Sequence, residues 1–315
     1  MDDVTRPADP RLPHFHRDHR ASSPAGRLAA GRQASPCAVV CSSESRGIHE
    51  DLRGTVPRHR SYLFLPTPAP WPRFAGAAPA SLPGLGPIPT DATTILYRSY
   101  PNSSAPLEPF LWNAHDRTIT RGAARPETDR GPAAAACPPL PRAPFLGVCI
   151  HGRHDPCCGL AGAPLLHRLH NLLPGTPAFG VSHIGGDRLA ANAITLPSGY
   201  LLGRLDTATD EELSELALDG LLPLGHIRGR LGSTPAESVA EIWFRQRYGL
   251  RRPEDLPHTT ITSQHDDHYT ITAEHGGRRH LLDIRRDPHE DGQIHFTCSA
   301  TEKSSGLRWR ITLRR

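Results

Sequence analysis

Apolar residues in the first third of the chain come in short, widely separated runs. SYLFLP (61–66) and TTILYRSY (93–100) read as buried or half-buried strands, joined by the long Pro/Gly connection TPAPWPRFAGAAPASLPGLGPIP. From position 144 the pattern tightens. PFLGVCI (144–150) is apolar throughout, as in a strand buried on both faces. Leu160, Leu165, Leu166, Leu169, Leu172 and Leu173 then fall near helical spacing, and Pro174–Gly175 ends that helix. PAFGVS (177–182) reads as a second strand, and NAITLPSGYLLGRL as a hairpin around Pro197–Ser198–Gly199. Thr207 or Thr209 can cap a further helix whose first turn carries Asp210, Glu211 and Glu212. SVAEIWFRQRYGL (238–250) is an amphipathic helix. Beyond 258 the stretches HTTITSQ, HYTITAEH, RHLLDIRR, QIHFTCSA and LRWRITLRR alternate as antiparallel strands do, with Cys298 on one of them as a packing residue.

These elements predict four segments. Residues 1–34, rich in Arg, His, Pro, Ala and Ser, form a mobile tail. Residues 35–135 form a strand-containing N-terminal unit, 136–222 a central α/β unit, and 223–315 a helix followed by antiparallel strands. The fold class is therefore α/β at the centre and α+β overall. Strand, helix, strand, hairpin, helix is the order of a thioredoxin-like unit. In that layout the loops after the two strands leave neighbouring carboxyl ends, where open α/β sheets hold their ligands.

Composition narrows the chemistry. At 315 residues the chain can bury a sizeable core. Its formal charge is +4, but the basic residues other than Lys303 are all Arg and no Arg cluster is interleaved with aromatics as a base-stacking surface would need, so a nucleic-acid surface is not expected. Asp2 and Asp3 stand where a secretory leader would be basic, and no apolar run is long enough to cross a bilayer. Seven cysteines in such a chain suit a reducing cytoplasm, where Cys and His groups bind metal more readily than they form disulfides. Cys37 and Cys41 read as buried structural thiols.

The candidate chemistry lies in two stretches. FLGVCIHGRHDPCCGL carries Cys149 and Cys158 nine positions apart, with His151 and His154 between them as groups that either tune a centre or face water. GVSHIGGDR carries His183 and Asp187, with Gly185 and Gly186 between them. Two ligand pairs on two loops are what a small metal centre needs, and thiolate plus imidazole points to zinc or iron–sulfur chemistry. Asp155 before Pro156 is placed for an Asx-type turn, and Asp187 in a purely structural role would pair with Arg188 or Arg153. The residue six positions after Cys149 is Asp155, which excludes the C-x5-R loop of a Cys phosphatase, and the adjacent Cys157–Cys158 is not a CxxC redox pair.

C-x-H-G-x-x-D-x-C-C from Cys149, S-H-x-G-G from Ser182 and L-P-S-G-Y-x-x-G-R-L from Leu196 together resemble the sucrase/ferredoxin-like family. Weaker similarity reaches Gly54–Thr55, Trp71 and the RGR at 228–230. The resemblance implies a thioredoxin-like domain with a [2Fe–2S] cluster on two cysteines and two histidines. By position these are Cys149, Cys158 and His183, with Asp187 where the second histidine is expected. It further implies a cytoplasmic electron-transfer or redox-sensing protein with a protein redox partner and no membrane or nucleic-acid partner. Two thiolates, one imidazole and one carboxylate would leave an oxidised cluster at a charge of about −1, between the roughly −2 of a four-thiolate centre and the near-zero of a two-His centre. The alternatives are ligation by Cys157, an iron site left open for chemistry, a reactive cysteine, and a zinc-binding or cluster-free scaffold. No acidic pair supports glycoside hydrolysis.

Overall fold

A computed structural model describes residues 40–100, 108–122, 145–256 and 258–314. The tail at 1–34, Cys37 and most of the linker-like stretch 121–142 lie outside the described residues. The chain is α+β. Helix α1 (Cys41–Gly47) comes first. Strand β1 (Ser61–Pro66), a small hairpin of β2 (Ser81–Leu82) and β3 (Gly86–Pro87), β4 (Thr93–Ser99), β5 (Phe110–Asn113) and β6 (Ile119–Arg121) follow. Then come β7 (Phe145–Cys149), α2 (Pro156–Leu172), β8 (Ala178–Val181), β9 (Ala193–Leu196), β10 (Tyr200–Leu202), α3 (Asp210–Asp219), β11 (Ile227–Arg230) and α4 (Pro235–Tyr248). The C-terminal strands are β12 (His258–His265), β13 (His268–His275), β14 (Arg278–Ile294) and β15 (Ser304–Arg314).

One nine-stranded mixed sheet runs β11-β10-β9-β7-β8-β4-β1-β5-β6. Its middle, β8-β7-β9-β10, has β7 parallel to β8 and antiparallel to β9, the arrangement expected of the thioredoxin-like order. Strands β1 and β4 join the same sheet, with β4 antiparallel to β8. One face is packed by aromatics such as Phe64, Tyr97, Phe110 and Phe179. The other takes Leu165, Leu166 and Leu169 of α2 and Leu213 and Leu216 of α3 against Leu146 and Val148. Burial on both faces is why β7 and β8 read as continuous apolar runs. The second sheet, β12-β13-β14-β15, lays Ile271, Ala273, Leu282 and Ile284 on Val239 and Phe244 of α4.

Local signals set the helix ends. Thr209 caps α3 reciprocally with Glu212, and Thr234 does the same for α4 with Glu237, with Pro235 at its first position and Gly249 ending it in the left-handed region. Two expectations are corrected. Helix α2 begins at Pro156, because Asp155 in an extended conformation accepts the Cys157 N–H at 2.9 Å and Pro156 is pre-set for a first turn. Cys157 and Cys158 are therefore helical, not loop, residues. Cys298 is not on a strand: β14 runs from Arg278 to Ile294, with its register broken between Pro288 and Gln293, and Cys298 sits in the loop before β15.

Candidate metal centre

Strands β7 and β8 end side by side, with Cys149 opposite Val181, so the loops that follow leave the sheet together. Cys149 is held on both flanks. Its N–H donates to Asn192 O at 2.9 Å, and the next N–H, of Ile150, donates to Val181 O at 3.0 Å. The first loop turns at His151–Asp155 and enters α2, which brings Cys158 back beside Cys149. The second loop is anchored to β4, since Ser182 N–H donates to Leu96 O at 2.7 Å and Ser182 Oγ accepts the Leu96 N–H at 2.9 Å.

Gly185 and Gly186 both lie in the left-handed region, with φ of 89° and 85°. Gly186 has a second constraint, because a Cβ there would sit 2.5 Å from Arg228 Nη2. The missing side chain at Gly186 makes room for a guanidinium, while a Cβ at Gly185 would meet Pro57 at 3.1 Å. Arg228 is fully buried. It donates to Gly185 O (2.8 Å), Asn192 Oδ1 (3.0 Å), Thr55 O (2.5 Å) and Thr55 Oγ1 (3.1 Å), while Asn192 Nδ2 donates to Gly186 O at 2.7 Å. Burial pushes this guanidinium down to about 10, with Arg188 adding to the effect and the acids and thiols of the site opposing it. Arg228→Met is expected to leave these acceptors dry and unpaired and to destabilise the fold by about 3 kcal/mol or more. In urea unfolding this should appear as a lower midpoint with an unchanged slope.

The four expected ligands form a closed ring of contacts. Cys158 Sγ donates to Asp187 Oδ1 at 3.1 Å, and His183 Nδ1 lies 2.9 Å from the same oxygen. Cys149 completes the ring through contacts with both Cys158 and His183. Donor atoms of Cys149, Cys158 and His183 all lie within 4.8 Å of one another, as do those of His154, His183 and Asp187. Asp187 is 2% exposed, and His183, at 27%, forms the open side. A hydrogen bond from Cys158 is the main reason the Cys149 thiol falls to about 5. It outweighs burial and is helped by His183 and the His151 backbone N–H. Cys158, as the donor, is correspondingly raised, with burial and the Cys149 and Asp187 charges acting the same way. Burial would lower His183, but the Asp187 carboxylate and Cys149 hold it up at about 9. Burial would raise Asp187, and contact with His183 outweighs it, so the carboxyl lies below its usual range.

The neighbouring histidines have separate roles. His151 is buried. Its Nε2–H donates to Pro72 O at 2.9 Å, which leaves Nδ1 to accept the His183 N–H at 3.2 Å. It therefore orients the second loop. His154 stacks on the His183 ring at 3.8 Å, donates from Nδ1 to Arg73 O at 3.0 Å, and turns Nε2 toward Asp187 Oδ2 at 3.8 Å. A ring nitrogen fixed by a carbonyl while the other faces an acidic cluster is the arrangement of a metal-binding imidazole. His154 thus turns toward the site, as one of its two expected readings had it, and its donor atom lies within 4.8 Å of those of His183 and Asp187. A cavity of about 350 Å³, lined by Phe74, Thr93, His151, His154, Ser182 and His183, opens on this imidazole face.

Cys157 is not part of this ring. Its thiol contacts Cys41 and Cys298. Arg188 does not pair with Asp187 either; it pairs with buried Glu50 at 2.9 Å and covers the Phe296 ring at 3.9 Å. Asp155 forms the expected Asx-type turn as the cap of α2.

The donors fit a metal centre. His183 Nδ1 lies 2.9 Å from Asp187 Oδ1 and close to both thiols, so a metal ion at this point would take the place of the proton shared there. Two thiols, an imidazole nitrogen and a carboxylate oxygen are the donor types that zinc and iron–sulfur centres accept. Among the described residues, no helix is long and apolar enough to cross a membrane. Searches among curated proteins and among solved structures found no match. A family model described as sucrase/ferredoxin-like matches residues 88–228, a span that contains both loops and ends at Arg228. The segment from Ile88 to Arg228 is therefore a sucrase/ferredoxin-like domain.

Proposed function

We propose that this domain holds a [2Fe–2S] centre on Cys149, Cys158, His183 and Asp187 and exchanges single electrons with a protein partner, as a carrier or as a redox sensor. The observation that supports this reading is the pairing of donors: a thiol pair from the end of β7 and the first turn of α2 faces a His/Asp pair from the second loop. One pair for each iron is what a two-iron core requires. Such a centre supplies one-electron storage and needs no substrate pocket. The chain's own residues do the rest. The end of β7 and the first turn of α2 fix the two thiols, and His151 and Arg228 fix the backbone of the second loop. The half-open His183 ring would form the outer edge of such a centre, facing the surface that carries Phe74 and His154 where a partner would dock, and its second nitrogen would be the atom able to hold a proton there. Five free thiols among the described residues suit a reducing compartment, and we assign the protein to the cytoplasm.

Anaerobic purification with iron and acid-labile sulfide analysis tests the reading. About two irons and two sulfides per chain are expected, with a rhombic EPR signal after dithionite reduction. Iron-free, colourless protein after reconstitution would sink it. A single zinc on Cys149, Cys158 and His183 is the second reading, favoured by donor atoms that all lie within 4.8 Å of one another, a spacing that suits one ion. Zinc without sulfide, lost in Cys149→Ser, would establish it instead.

A further inference from the structure

Three thiols outside this ring meet on another side of the α2 N-terminus. Cys41 opens α1, Cys157 is the second residue of α2, and Cys298 lies in the loop between β14 and β15. Their sulfurs form a nearly equilateral triangle: 3.5 Å from Cys41 to Cys157, 3.3 Å from Cys157 to Cys298 and 3.5 Å from Cys298 to Cys41. Asp155 Oδ1 stands 4.0 Å from Cys41 Sγ, and all four donor atoms lie within 4.8 Å of one another. Cys41, Cys157 and Asp155 are buried, and Cys298 is half-buried.

Packing alone does not account for this group. Thiols 116, 141 and 257 positions apart in sequence converge on a buried carboxylate, which no apolar interior favours. A disulfide needs sulfurs about 2.05 Å apart and would leave one of the three thiols over. A tetrahedral zinc with Zn–S bonds of about 2.3 Å needs sulfurs about 3.8 Å apart, which the triangle reaches by widening a few tenths of an ångström. The scaffold around the group is built. Asp155 Oδ1 accepts the Cys157 N–H and Oδ2 accepts the Cys298 N–H at 2.6 Å, so one carboxylate sets the backbone under two of the thiols. The Cys298 loop is pinned to α1 a few residues away, where Glu44 accepts the His295 N–H at 2.7 Å and meets Lys303 at 3.1 Å.

We propose that Cys41, Cys157 and Cys298, with Asp155 as fourth ligand, form a structural zinc site. Binding replaces three S–H bonds by three Zn–S bonds and releases the thiol protons to solvent, with no change of oxidation state. Four protein ligands leave no open position, as in structural sites. The site clips α1, the start of α2 and the C-terminal sheet together. It also braces the turn that carries Cys158, whose side chain goes to the other centre. Cys41 and Cys298 both lie outside the 88–228 family match, so the site belongs to the whole chain.

The test is metal analysis of the full chain purified under reductant with zinc present, alongside Cys298→Ser, Cys41→Ser, Asp155→Asn and Cys149→Ser. About one zinc per chain is expected in Cys149→Ser, where the first centre is disabled, and the wild type should hold that zinc in addition to whatever its first centre binds. In the Cys149→Ser background, retention should fall at least tenfold when Cys298→Ser or Cys41→Ser is added. Cobalt loaded into Cys149→Ser should give intense tetrahedral d–d bands and thiolate charge transfer, both weakened by Cys298→Ser. If Cys41→Ser fails to fold, the half-buried Cys298 position and the cobalt spectrum still decide. Zinc content unchanged in Cys298→Ser would overturn the proposal. So would iron in place of zinc in Cys149→Ser, or a reduced preparation two hydrogens lighter through a Cys157–Cys298 disulfide.

Discussion

Asp187→His is expected to raise the reduction potential of the reconstituted protein by ~100–150 mV. The argument is one of charge. Exchanging two thiolates for two neutral imidazoles separates Rieske centres from plant-type ferredoxins by at least ~250 mV. A carboxylate exchanged for one imidazole removes a single negative charge, about half of that change. The effect should be weakly screened because the Asp187 side chain is 2% exposed. A second ionisable ring would also make the potential depend more steeply on pH. Voltammetry of both proteins across the pH range gives the answer, and a potential that stays put or falls would mean that Asp187 does not contact the metal.

Gly162→Ala should be the most disruptive single methyl in the domain. A Cβ at Gly162 would lie 1.8 Å from the Cys149 carbonyl oxygen, which is backbone and cannot rotate away. Either α2 lifts off β7 or the strand end shifts, and each moves one of the paired thiols. Overpacking of this kind costs about 3 kcal/mol or more, which is a drop of roughly 6–12 °C in melting temperature for a chain of this class. Gly47→Ala, which meets nothing within 4 Å and has no left-handed backbone, serves as the control and should melt within a degree or two of the wild type. Calorimetry with parallel metal analysis should show Gly162→Ala losing both stability and metal. Equal behaviour of the two variants would mean that α2 is not held against β7 as described.

The sheet was largely legible in the sequence. SYLFLP, TTILYRS and the LPSGY hairpin show their strands because each has one dominant apolar pattern bounded by Pro or Gly. The start of α2 was not legible from periodicity. Leu160, the first residue of the apolar series, is 70% exposed, whereas the true start is set by the Asp155–Pro156 cap, which looks equally like a turn. Strands β5, β6 and β11 were missed because they mix apolar positions with Asn, Thr and Arg over three or four residues, unlike the fully apolar β8 of comparable length. At the site, Cys149, Cys158, His183 and Asp187 could be grouped because each pair is local and the loops follow adjacent parallel strands. His154 could not, since its ring position depends on stacking against His183 and on the Arg73 carbonyl. Cys41 and Cys298 were beyond reach for a simpler reason: nothing in local sequence says that residues 257 apart will touch.

That separation sets a clock on biosynthesis. At roughly 5–20 residues per second, a ribosome needs on the order of ten seconds to a minute to make the chain between Cys41 and Cys298. During that interval the N-terminal thiol has emerged and its partner does not yet exist. The nascent chain must therefore keep Cys41 reduced and unclaimed until its last sheet is translated, so maturation ends with the C-terminus.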